Sequence, residues 1–158
     1  MESVLLSEAE IKEGLLGAKQ AERRRYPKVL HQPGADFNRM INFLMSDTYM
    51  QPHFHPHQEK IEGIEVIQGK LAVLFFNDEG EITKSVIIEN KEGEENRIDV
   101  PGFAWHTYIV LSETAVTYET MKGVYDPKTW KELASWAPLE NTPEAKEYLS
   151  LLKKRATG

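Results

Sequence analysis

Three of the chain's five histidines fall in Pro52-His53-Phe54-His55-Pro56-His57. In an extended strand residues i and i+2 project from one face, about 6.6 Å apart at ~3.3 Å per residue. His53 and His55 therefore point together, and two adjacent imidazoles are the beginning of a metal chelate. Glu62 opens the next β-type stretch and is placed to bring a carboxylate from an antiparallel neighbour. Val100-Pro101-Gly102-Phe103-Ala104-Trp105-His106, a turn running into a strand, offers His106 as a third nitrogen. His57, behind a proline, is a further candidate ligand. A single strand histidine is ordinarily hydrogen-bonded or exposed, so the metal reading rests on the four groups together. The chain has no cysteine, which excludes disulfides, thiolate metal sites and cysteine nucleophiles. Three imidazoles and a carboxylate suit one divalent Fe, Mn, Ni or Zn ion.

A β scaffold must hold these side chains. From Asn38 to Thr120 short runs rich in Val, Ile, Phe, Tyr and Thr alternate with turn residues, and predict strands near 39–46, 48–55, 62–68, 70–77, 81–89, 96–100, 104–111 and 114–120. Leu71 to Phe76 is apolar at every position, as in a strand covered on both faces. Many short strands with no helices between them indicate a sandwich or barrel. Ser7 and Glu10 form a capping-box signature ahead of a helix from about Glu8 to Arg23. Helices are also expected at Lys128 to Ser135 and at Pro143 to Lys154, the latter with Thr142 as N-cap. One domain results: a helix and lead-in over 1–37, a β core over 38–122, and a helical extension over 123–158.

The chain's 158 residues carry 19 basic against 25 acidic side chains, a net charge of −6. This balance argues against a nucleic-acid partner, which needs a basic face. The longest apolar run, Leu71 to Phe76, is far below the ~20 residues of a membrane helix. The acidic opening, with Glu2, Glu8, Glu10 and Glu13, is unlike a signal peptide and leads us to expect a cytoplasmic protein.

His53-x-His55, Glu62, Gly69 and the later Pro101…His106 resemble the two-part metal motif of the cupin superfamily. More narrowly, Tyr49 through His55, Gly69, Trp105-His106, Glu119-x-x-Lys122-Gly123-x-Tyr125 and Trp136-Ala137-Pro138-x-Glu140 resemble the WbuC family of small cupins. The resemblance implies an all-β double-stranded β-helix, or jelly roll, here with short N- and C-terminal helices, and a divalent metal on His53, His55, Glu62 and His106. The spacing departs from the general motif, which puts three or four residues between the second His and the Glu where this chain has six, so the resemblance makes Glu59, at the usual distance from His55, the fallback carboxylate. Asp47 and Val110 stand where that motif has Gly and Asn, and its second glycine is displaced to Gly102.

His106 and Tyr108 share a strand face, which makes Tyr108 a candidate to bind substrate or take part in catalysis, with a core aromatic as the plainer alternative. Glu119 and Lys122 are further catalytic candidates, and an ion pair between them explains both equally well. Arg23, Arg24, Arg25 and His31 precede the barrel. Arg25 and His31, together with Tyr125, are candidates to hold an anionic substrate, since guanidinium grips carboxylate or phosphate. Trp105, Ile109 and Leu111 face the other way and need cover from terminal helices or from a partner subunit, hence an expected homodimer. Two function classes follow. One is a metal-dependent enzyme acting on a small polar or anionic molecule, with isomerase, epimerase and dioxygenase chemistry all open. The WbuC resemblance implies a sugar or nucleotide sugar of surface polysaccharide or O-antigen synthesis. The other is a non-catalytic, metal-dependent binding or sensing module.

Overall fold

The side chains of Leu71–Phe76 sort by parity. Leu71 and Val73 enter a core between two sheets, while Ala72, Leu74 and Phe76 enter a second core beneath a helix. This is why the stretch is apolar throughout. The structure, a computed structural model, describes residues 6–158. Its elements run α1 (Glu8–Gln20), β1 (Arg25–Val29), β2 (Phe37–Met45), β3 (His53–Phe54), β4 (Glu62–Gln68), β5 (Lys70–Phe76), β6 (Ile82–Glu89), β7 (Arg97–Val100), β8 (His106–Val110), β9 (Thr114–Lys122), β10 (Glu132–Leu133) and α2 (Pro143–Thr157). Two five-stranded antiparallel sheets form, in the orders β1-β2-β9-β4-β7 and β10-β3-β8-β5-β6. Leu44, Ile64, Val66, Leu71, Val73, Ile88, Tyr108 and Val110 fill the space between them. The architecture is the expected jelly roll with terminal helices.

The helices cover the outer faces. Ala18 of α1 packs on Ile41, Phe43 and Val116 of the first sheet. Its capping box is present, with Ser7 accepting from the Glu10 N–H and the Glu10 carboxylate accepting from Ser7. Gly14 lets the helix approach closely, because a Cβ there would run into the Phe43 ring. α2, capped by Thr142 with Pro143 in its first turn, sets Ala145, Leu149 and Leu152 against Leu74, Phe76 and Ile109. Trp105 and Leu111 join this cluster beside Trp136. The face that needed a cover thus has one from within the chain. Among the described residues no helix is long and apolar enough to cross a membrane.

Several elements differ from the sequence reading. The strand expected over 48–55 shrinks to β3, because Pro52 interrupts the ladder and His55 lies past its end. The helix expected over 128–135 is absent: Glu132 and Leu133 instead pair with Phe54 and His53, and this tertiary pairing overrides a weak local helical pattern. β1, inside the segment assigned to the lead-in, pairs along β2 from Arg25↔Leu44 to Val29↔Met40.

Gly69 makes the turn between β4 and β5 at φ +90°, and a Cβ there would strike the Thr114 carbonyl oxygen and the Ala115 Cα. Gly69→Ala is expected to lower stability by about 2–3 kcal/mol through strain and displaced packing. Urea denaturation of the two proteins checks this.

Candidate metal centre

His53 and His106 are directly opposed across the β3–β8 ladder. His55, two residues on, returns to the same side, and the three rings lie 4.5 to 5.7 Å apart between centroids. Glu62 arrives differently from expectation. β4 does not neighbour β3; it belongs to the other sheet, paired with β7 and β9. The carboxylate therefore crosses the gap between the sheets instead of reaching along a ladder, and His106 is the cross-strand neighbour. One ligand atom from each of His53, His55, Glu62 and His106 falls within 4.8 Å of all the others.

Each imidazole is held by a backbone carbonyl. His53 Nδ1 lies 2.9 Å from the Gln51 oxygen, His55 Nδ1 2.9 Å from Trp130 and His106 Nδ1 2.9 Å from Ala104. A carbonyl only accepts, so each Nδ1 carries the hydrogen and Nε2 is left as the coordinating atom. Glu62 Oε2 sits 3.2 Å from His55 Nε2 and 2.9 Å from His106 Nε2. Burial pushes His53 well below its ordinary value, with the nearby His106 and Lys131 adding to the shift, so the ring is neutral. Burial alone would raise Glu62, but the hydrogen bonds from His106 and His55 outweigh it and hold the carboxyl well below its usual range. Burial would likewise lower His106, and the Glu62 hydrogen bond and charge reverse that, leaving it raised. These are the donors of a cation site.

His53, His55 and Glu62 of the cluster form part of the wall of a cavity of about 480 Å³. Arg25, His31 and Tyr125 also line it, as does Glu119. Arg25 is buried and bonds Thr48, the Tyr49 carbonyl and Glu140. His31 Nδ1 accepts from the Arg39 N–H, and Tyr125 stands edge-on to Trp130. Glu119 Oε2 accepts from Asn42, Thr117 and Tyr108, and burial together with the Glu62 charge pushes its carboxyl up to about 7. Tyr108 spends its hydroxyl on Glu119 and packs in the inter-sheet core, outside the cavity lining. Lys122 does not pair with Glu119. Three residues apart on one strand, the two point to opposite faces, and Lys122 lies 3.7 Å from the exposed Glu59 instead. Glu59 and His57 stand outside the cluster; His57 is exposed and accepts the Glu59 N–H.

Sequence reasoning missed Trp130, Lys131 and Glu140 as cavity residues or their anchors. The helix assigned over 128–135 hid the first two. Asp126-Pro127, a turn signal, was the available warning.

A family model described as Domain of unknown function (DUF6016) matches residues 6–88, just over half of the chain. No curated protein matches the sequence. Among solved structures, protein SO0799 from Shewanella oneidensis is similar at 11% identity and a TM-score of 0.61, over 92% of this chain and 94% of its own. An uncharacterized conserved protein with a double-stranded β-helix domain from Klebsiella pneumoniae shares 15% identity at a TM-score of 0.58, covering 85% of this chain and 99% of that one. Oxalate oxidase in complex with the substrate analogue glycolate shares 15% identity at 0.56, covering 88% and 75%. The likeness shows the fold, a double-stranded β-helix.

The Glu62–His106 pair makes a testable contribution to the metal-free chain. A raised His106 stabilises below its ordinary 6.5 and loses that contribution as pH rises through the folded value. A lowered Glu62 stabilises above 4.5 and loses it as pH falls through its folded value. The stability lost in Glu62→Gln, roughly 1.5–3 kcal/mol, is expected to be largest between 4.5 and 6.5 and to shrink on both sides. Denaturation of both metal-free proteins across pH is the check.

Proposed function

The chain belongs to the family described as Domain of unknown function (DUF6016), and from its site we propose that it is a metal-dependent cupin enzyme acting on a small polar or anionic molecule. The observation that carries this reading is the convergence of three imidazoles and the Glu62 carboxylate, one ligand atom from each within 4.8 Å of the others, with His53, His55 and Glu62 on the cavity wall. The donor set fits a divalent transition metal: three neutral-capable nitrogens with their tautomers already set, and one anionic oxygen. A bound ion would supply Lewis acidity, polarising a carbonyl or activating water.

The chain's own residues do the rest. The carbonyls of Gln51, Ala104 and Trp130 aim the rings. Glu62 would offset one unit of the ion's positive charge from a largely buried position. Val29, Met40, Met50 and Met121 line the cavity with apolar surface that sheds water around a ligand. Glu119 is a second carboxylate of the wall, already oriented by three donors. Oxalate oxidase, a fold relative that takes a small acid, is consistent with a ligand of this size. The WbuC resemblance adds a narrower reading, a sugar or nucleotide sugar of surface polysaccharide synthesis. Its support in the cavity is the aromatic pair Tyr125 and Trp130, whose rings stand 5.2 Å apart and offer faces to a sugar.

Elemental analysis of untagged protein is expected to find about one transition metal per chain, absent from a His53→Ala/His106→Ala double variant. The loaded protein should turn over at least one member of a panel of sugars, sugar phosphates and small acids, and the double variant none. Metal with binding but no turnover would make the chain a sensing module. A wild type that stays empty after exposure to Fe(II), Mn(II), Ni(II) and Zn(II) would overturn the metal reading.

A further inference from the structure

The cavity has a surplus of cations that the metal cluster does not explain. Arg23 and Arg25 share a single carboxylate: Glu140 takes Arg23 Nε at 2.9 Å and Arg25 Nη2 at 2.7 Å. That leaves one guanidinium charge unbalanced. Lys131 lines the same cavity and has no ion-pair partner among the described residues. Desolvation, and then the two guanidiniums, push its ammonium below the ordinary lysine value. Three cationic side chains lining one cavity repel one another, a cost that a bound anion relieves. Arg25 is more than nine-tenths buried, and among the described residues its hydrogen bonds use Nη1 and Nη2 but not Nε.

We propose that Arg25 and Lys131 form an anion subsite of this cavity, taking the carboxylate or phosphate group of a small ligand whose other end faces His53, His55, Glu62 and His106. The inference deepens the metal-dependent reading of the same site and rests on it for the ligand's second contact. It makes the substrate an anion of two-point attachment: an oxyanion on the Arg25 and Lys131 side, and a polar group on the metal side. A neutral sugar satisfies only the second contact; a sugar phosphate or a sugar acid satisfies both.

The test is calorimetric titration of the full chain, stripped of metal so that a probe cannot bind through an ion, with inorganic phosphate and with acetate in separate arms. At least one probe is expected to bind at one site per chain. Lys131→Gln should weaken it about fivefold or more, as loss of a charge-assisted contact does. Lys131→Arg keeps the charge and should retain binding, and Lys84→Gln, on the exposed side of β6, should leave it unchanged. Phosphate binding alone assigns a phosphoryl ligand, acetate alone a carboxylate, and both the shared oxyanion chemistry. No saturable binding of either probe, or a loss below fivefold in Lys131→Gln, would overturn the subsite. Metal content measured on the same preparations separates the two claims. A chain that takes up no metal yet binds phosphate through Lys131 defeats the enzyme reading alone; a chain that loads metal normally but shows no Lys131-dependent binding defeats the subsite alone.

Discussion

A carboxylate placed between two apolar sheets demands a positive partner, and the site is organised around that demand. Glu62 leaves its own sheet, where β4 is held between β7 and β9, and meets histidines that belong to the other. Desolvation acts against its charge, and the imidazoles outweigh that penalty. A cation in this gap, proton or metal, therefore ties one sheet to the other at the end of the shared core. The same low-dielectric surroundings push His53 well below its ordinary value, while the Glu62 hydrogen bond and charge raise His106.

The geometry also depends on chain far from the histidine motif. His55 lies beyond the ladder, and its ring is fixed by the carbonyl of Trp130, 75 residues away in sequence. β10 then pairs Leu133 with His53, and Gln51 donates to the Ala134 carbonyl. Further on, Tyr49 donates to the Pro138 carbonyl, and Glu140 receives Arg23 and Arg25. The segment after β9 is thus a wall of the site as much as a link to α2. It supplies an acceptor for one ring, Lys131 for the cavity and the anion that holds two arginines in place.

Much of this was legible from local patterns. The two-residue strand period was enough to put His53 and His55 on one side. Parity explains β5, and the capping box and Thr142-Pro143 marked both helix starts. What was not legible is non-local. Nothing in the residues of β4 says which sheet it joins, so Glu62 was expected along a ladder and came from across the core. Lys128 to Ser135 has a helical look only in isolation; its strand pairing is decided by the exposed edge of β3. Lys122 and Glu119 were coupled by motif, although strand alternation already set them on opposite faces.

X-ray absorption at the metal edge of the Zn(II)-loaded protein tests the central claim most directly, because it reports the donors themselves. Three imidazoles and one carboxylate predict a shell of nitrogen and oxygen at about 2.0–2.2 Å with outer scattering from three rings. Glu62→Gln should keep the three-ring signature while altering the oxygen contribution. A shell of oxygen alone, or scattering from a single ring, would contradict the account.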